Sequence, residues 1–218
     1  MSVLIVIPAR YASTRYPGKP LVALTGATGQ KQSLIERSWK AASAVSGVDR
    51  VVVATDDDRI REAAEGFGAE VVMTSEACAN GTERCAEAHA ALGGGYDIVV
   101  NLQGDAPLTP HWFVEGLVQG LKDNPDAEIA TPVLRCDGAT LNSLLGDRKA
   151  GRVGGTTAVF RADNQALYFS KEVVPYTGKP YAETDMTPVF HHVGVYAYRP
   201  DALARYPSWP VGPLEQLE

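Results

Sequence analysis

Residues 50–73, RVVVATDDDRIREAAEGFGAEVVM, contain a complete strand–helix–strand unit. Arg50 to Ala54 is a continuous β-branched run, the pattern of a strand buried on both faces. Thr55, Asp56, Asp57 and Asp58 follow as loop and N-cap, where carboxylates suit a helix start better than a metal. A helix is predicted over Arg59 to Phe67, ended by Gly68, and Glu70 to Met73 is the next strand. Two strands joined through a helix at this spacing point to a parallel sheet with right-handed crossovers.

The same alternation extends in both directions. Upstream, Val3 to Ile7 is an apolar strand that stops at Pro8, and Ser33 to Ala44 has helical spacing, with Ser33 and Glu36 placed as a capping box. Downstream, a helix is predicted over Thr82 to Leu92, closed by Gly93, Gly94 and Gly95. Ile98 to Leu102 is a strand that delivers Gln103, Gly104 and Asp105. A helix from about Pro110 to Lys122 and a strand over Glu128 to Val133 follow. The fold class is therefore α/β, a mainly parallel sheet with helices on both faces. Ligands of such sheets sit outside the carboxyl ends of the strands, which puts Arg10 to Lys19, Thr55 to Asp58 and Gln103 to Asp105 on one rim.

The rest of the chain is less regular. Leu134 to Gly155 holds five glycines among charged residues and reads as a mobile excursion. Thr156 to Phe160 and Ala166 to Phe169 alternate like paired strands, and Tyr176 to Pro188 reads as a loop. Val193 to Tyr198 is a strand, and Asp201 to Tyr206 begins as a short helix. The expected organisation is a single domain over 1–218, with a core at 1–133 and a small β-rich lobe at 134–218.

With 218 residues, 45% of them hydrophobic, the chain can bury a substantial core. Its formal charge of −6 argues against a nucleic-acid partner, so any basic site must be local. No apolar stretch is long enough for a membrane span and no signal sequence opens the chain, so a cytoplasmic protein is expected. Cys78, Cys85 and Cys136 are odd in number and form no CxxC, which supports neither a disulfide framework nor zinc.

The loop after the first strand contains the chemistry. Arg10, Ser13, Thr14, Arg15, Gly18 and Lys19 stand within ten residues of an acidic protein. Guanidinium forks, an ammonium and hydroxyls together suit a polyphosphate better than a single carboxylate, so the loop reads as a nucleoside triphosphate site. It is neither GxxxxGK[ST] nor GxGxxG, so Walker and dinucleotide sites are excluded. Asp105, after a buried strand, is the candidate ligand for a hard divalent cation, which needs few carboxylates when phosphates share it. Ser13 and Ser170 lack a nucleophile elbow, so serine hydrolase chemistry is not supported. Taken alone, Arg84 reads as a surface residue, and His191 and His192 as partly buried histidines.

Seven segments carry a family resemblance: IPARYASTRYPGKPL (7–21), VVVATDD (51–57), NGTER (80–84), NLQGDAP (101–107), ALYFSKEVVPY (166–176), HHVGVYAYR (191–199) and PLEQLE (213–218). Together they resemble, co-linearly, the 3-deoxy-manno-octulosonate (Kdo) cytidylyltransferases, the CMP-Kdo synthetases. The resemblance implies a Rossmann-like nucleotidyltransferase fold. It also implies transfer of CMP from CTP to Kdo with Mg²⁺, giving CMP-Kdo and pyrophosphate for lipopolysaccharide biosynthesis, by a homodimer. By the same resemblance, Arg10, Arg15, Lys19 and Asp105 are catalytic. Ser13 and Thr82 join the three cations in binding CTP, and Asp105 holds the metal. Arg84, Gln103, His192, Tyr196 and Glu215 would bind the sugar acid. Relatives continue past the Pro-Leu-Glu motif to a late Asp that ligates the metal, so the chain is expected to be truncated at its C-terminus. A nucleotidyltransferase for another sugar acid such as 8-amino-Kdo, or a nucleotide-binding homologue without full activity, are the alternatives.

Overall fold

Strand β1 (Val3–Ala9) is buried along its whole length, with Val3 to Ile7 all at 0% exposure, so both faces of the sheet around it are covered. The structure, a computed structural model, describes residues 1–12 and 16–217. After β1 come a 3-10 turn at Lys19–Leu21 and a short hairpin, β2 (Ala23–Thr25) and β3 (Lys31–Ser33). Then follow α1 (Leu34–Ser43), β4 (Arg50–Thr55), α2 (Asp58–Gly66), β5 (Glu70–Met73) and α3 (Gly81–Ala91). The run continues through β6 (Ile98–Leu102), α4 (His111–Asp123) and β7 (Ile129–Ala130). The elements β8 (Val133–Asp137), α5 (Gly138–Lys149), β9 (Thr157–Phe160), β10 (Ala166–Ser170) and β11 (Met186–His192) come next. The chain ends through β12 (Val195–Tyr198), α6 (Pro200–Arg205) and α7 (Pro213–Leu217).

Two compact units result. The first comprises 1–130 and 195–209, the second 131–194 and 210–218. In the first, a six-stranded sheet runs β5-β4-β1-β6-β12-β7. Strands β5, β4, β1 and β6 are mutually parallel, and β12 closes against β6 antiparallel. Leu4, Val6, Val52, Ala54 and Val99 form one core face with Cys85 and Ala88 of α3. The caps match the sequence: Ser33 Oγ accepts from Glu36 N, and Asp57 from Arg59 N. Glu36 turns its carboxylate to Lys40 and Gln32.

In the second unit a four-stranded sheet runs β10-β9-β11-β8, antiparallel throughout. Four sequence expectations change. The strand expected over Glu128 to Val133 is two strands in two sheets, because Pro132 has no N–H to continue a ladder. The excursion expected over Leu134 to Gly155 is instead the end of β8 followed by α5. Asp137 caps that helix by accepting from Thr140 N at 2.8 Å, and Leu141 and Leu144, one turn apart, are buried with Cys136 and Val189. Gly138, a loop signal by sequence, stands at the helix start because the Ala182 carbonyl occupies the place of a Cβ. The loop expected over Tyr176 to Pro188 ends at Met186, with Pro188 inside β11 where the register against β8 shifts. Finally, residues 195–209 return to the first unit, so the lobe is not one continuous stretch from 134 to 218.

Leu141→Ala tests the helix. A core position predicts a loss of about 2–5 kcal/mol in unfolding free energy; a change under about 0.5 kcal/mol, as for a mobile segment, would contradict it.

Candidate active site

The site begins with register. Ile5 pairs with Val100 and Val6 with Asn101 in parallel, so the segments leaving β1 and β6 emerge at the same edge. The turn after β6 closes through Ala106 N–H donating to Gln103 O at 3.0 Å. Gly104 is required there: a Cβ would stand 2.8 Å from Pro8 O. The buried Ser38 hydroxyl of α1 donates to Gly104 O at 2.9 Å and holds the turn against β1.

The loop after β1 is closed by Gly18 N–H donating to Tyr11 O at 2.9 Å, with Gly18 at φ 71°. The Arg59 guanidinium lies 3.3 Å from the centre of the Tyr11 ring and fixes the loop's near end to α2. Ser13 and Arg15 lie outside the described residues. Past the loop, Lys19 Nζ donates to Asp105 Oδ2 at 2.6 Å. Both side chains are about half exposed, 46% and 50%. An exposed pair of this kind contributes at most about 1 kcal/mol to stability. Their convergence therefore says more about the site than about the fold.

The third wall is the start of α3. Asn80 Oδ1 accepts from Thr82 N and Glu83 N, both at 3.0 Å, and caps the helix, while Glu83 accepts from Ala79 N, one residue before the cap, at 2.8 Å. One turn further, Arg84 is 3% exposed. Its guanidinium donates to Thr74 Oγ1 at 2.5 Å and to Asp56 Oδ2 at 2.8 Å, tying α3 to the ends of β4 and β5. Its burial departs from the surface residue that its position alone suggested, and it gives Asp56 an ion pair in place of a solvated turn.

These three walls enclose a cavity of about 450 Å³. Arg10 and Lys19 supply cations, Gln103 and Asp105 the opposite rim, and Cys78 to Gly81 with Arg84 the helix side. Five of the candidates named from the sequence thus line one cavity. Thr82 is not among the lining residues; its hydroxyl meets the Tyr198 hydroxyl at 3.2 Å. Tyr196 belongs to the first unit, its ring 6.1 Å from that of Tyr198, and burial pushes its hydroxyl pKa up. His192 and Glu215 belong to the second unit. His192 Nε2 lies 2.8 Å from Thr131 Oγ1, and burial together with the neighbouring His191 pushes its pKa down, so the imidazole is neutral at neutral pH. Glu215 is exposed on α7.

Lining residues without a role assigned from the sequence include Tyr16 and Cys78. The Asn80 cap was readable from Asn80-Gly81-Thr82-Glu83; Tyr16 and Cys78 carried no signal. The Cys78 thiol donates to Glu87 at 3.0 Å, and burial pushes its pKa up to about 11. It stays protonated, so the cavity holds no thiolate nucleophile.

Among the described residues, two cations, Arg10 and Lys19, stand beside the Asp105 carboxylate at the carboxyl edge of a parallel sheet, the edge where ligands of such sheets sit. The sequence profile described as "Cytidylyltransferase" matches residues 4–218, and the chain belongs to that family of enzymes. It is 46% identical over 218 residues to 3-deoxy-manno-octulosonate cytidylyltransferase of Maricaulis maris, covering 100% of this chain and 81% of that protein. The enzyme of the same name from Chlamydia pneumoniae is 41% identical, with 98% of this chain and 78% of that protein covered. A solved structure described as CMP:2-keto-3-deoxy-manno-octonic acid synthetase complexed with CTP superposes with a TM-score of 0.83 at 34% identity, covering 100% of this chain and 82% of that one.

Two substitutions separate fold from site. Lys19→Ala should change unfolding free energy by less than about 1 kcal/mol. Arg84→Ala, which strands Asp56, should cost about 3–5 kcal/mol. Equal losses in denaturant titrations would contradict the division.

Proposed function

We propose that the chain transfers CMP from CTP to Kdo, releasing pyrophosphate and supplying CMP-Kdo for lipopolysaccharide assembly. The observation that supports this most is the convergence of Arg10, Lys19 and Asp105 on one cavity at the β1 and β6 edge. The relatives named above carry the name 3-deoxy-manno-octulosonate cytidylyltransferase.

In this reading the triphosphate lies along the loop after β1. Arg10 and Lys19 take the β- and γ-phosphates, with Arg15 and Ser13 joining by their place in the motif. The anomeric hydroxyl of the sugar acid attacks the α-phosphorus in line. Its oxygen–phosphorus bond forms, the bond to the bridging oxygen breaks as pyrophosphate leaves, and the hydroxyl proton passes to solvent water. Charge builds on the departing pyrophosphate, where fixed cations act most strongly. The segment 80–84, from the N-cap into the first turn of α3, reads the cytosine, and Gln103 contacts the sugar acid.

Mg²⁺ fits this site in a specific way. Among the described residues no group of three or more His, Cys, Asp or Glu could hold a metal by itself. Mg²⁺ commonly takes one or two carboxylates plus substrate phosphates, and Asp105 is the carboxylate of the cavity. When bound, the ion would neutralise phosphate charge and polarise the α-phosphate. Lys19 holds Asp105 at 2.6 Å, so the carboxylate is already aimed, and an arriving phosphate gives the ammonium a second anion. A cytoplasmic homodimer belongs to the same proposal and rests on the family likeness. Among the described residues no helix is long and apolar enough to cross a membrane.

Pyrophosphate release from CTP, Kdo and Mg²⁺ tests the reading. Asp105→Ala and Lys19→Ala should each lower kcat/KM by at least about tenfold, ~1.4 kcal/mol of transition-state stabilisation. Full activity in both variants would contradict it.

A further inference from the structure

Asn101, at the carboxyl end of β6, is 1% exposed, and its Nδ2 has no hydrogen-bond partner. A buried amide donor left without an acceptor costs about 1–3 kcal/mol. The neighbouring contact shows how that cost is relieved. Gln103 Nε2 donates to Asn101 Oδ1 at 3.0 Å, and Gln103 lines the cavity. Both amides face the start of α3: a Cβ on Gly81 would stand 3.5 Å from Gln103 Oε1 and 3.6 Å from Asn101 Nδ2. In this arrangement the free end of Gln103 is an oxygen, an acceptor.

The pair has a second arrangement, reached by turning both terminal amides over. Asn101 Nδ2 then donates to Gln103 Oε1, which removes the unpartnered N–H. Asn101 Oδ1 takes the place that Nδ2 held, and a buried carbonyl tolerates an unfilled lone pair better than a buried N–H tolerates no acceptor. Amide oxygen and nitrogen are close in size, so the exchange needs no repacking. Its consequence is chemical: Gln103 now presents Nε2 as a donor. A sugar acid offers mainly acceptor oxygens, its carboxylate among them, and a facing carbonyl would repel these where an N–H attracts them.

We propose that Asn101 is a positioning residue: its buried Nδ2, by donating to Gln103 Oε1, sets the Gln103 amide with Nε2 toward the cavity, as a donor to the anionic substrate. This rests on the reading of the cavity as a CTP and sugar-acid site. Asn101 does not touch substrate; its buried N–H selects which face of the Gln103 amide is shown.

A double-mutant cycle tests the assignment. Asn101→Ala should raise KM for Kdo at least about fivefold while KM for CTP stays within about twofold. In a Gln103→Ala background, the same Asn101→Ala change should add less than about twofold, because the residue acts through Gln103. If Asn101→Ala does not fold, Asn101→Asp takes its place. Its carboxylate can only accept, which locks Gln103 in the acceptor-out arrangement and should raise KM for Kdo selectively. An unchanged KM for Kdo, an equal rise for both substrates, or effects that multiply in the double variant would overturn the assignment. Absence of wild-type turnover would overturn the proposed function and this assignment with it. Wild-type turnover with an unshifted Asn101→Ala overturns the amide assignment alone.

Discussion

Everything at the site depends on the parallel pairing of β1 with β6. The two strands are far apart in sequence, 3–9 and 98–102, yet their register places the loop with Arg10 and Lys19 beside the turn with Gln103 and Asp105. Parallel pairing needs a crossover, and the crossovers bring α1 and α3 to the same sheet. Each helix then adds one fixing contact: Ser38 to Gly104 O, and the capped start of α3 as the third wall. A slip of one residue between β1 and β6 would turn Asn101 and Gln103 to the opposite face and separate the cations from the carboxylate.

The two ion pairs of this region do different work. Arg84 and Asp56 are withdrawn from water, 3% and 16% exposed, and lock α3 to the end of β4. Lys19 and Asp105 are half exposed, loosely coupled to folding, and free to exchange partners. Stability is thus built behind the cavity wall, and charge that can be redirected stands at its mouth. The Asn101–Gln103 pair sits between these extremes: Asn101 is buried, and Gln103, hydrogen-bonded to it, lines the cavity.

The first unit was readable in the sequence because its signals are local. β-branched runs, a Ser cap, an Asp cap and glycine stops placed β4, α2, β5, α3 and β6 within a residue or two, and the strand-end rule collected Arg10, Lys19, Gln103 and Asp105 on one edge. The second unit was harder, because its decisive contacts are not local. The glycines of 138–155 counted as loop signals, whereas Gly138 answers the carbonyl of Ala182, more than forty residues away. Pro188 lies inside β11 only because the register shifts against β8, and β12 joins the first sheet through partners that its own residues do not specify. The burial of Arg84 was unreadable for the same reason. Its acceptors, Thr74 and Asp56, are brought to it by the packing of α3 on β4 and β5. The family motifs supplied roles for Arg84, His192, Tyr196 and Glu215 that their individual chemistry did not.

A crystal structure of the chain grown with CTP tests the central claim most directly. The account predicts the triphosphate against Arg10 and Lys19, the base beside segment 80–84, and the α-phosphate within reach of Asp105. Nucleotide bound elsewhere, for example among Arg199 and Arg205 in the groove with Tyr96 and Asp126, would contradict it.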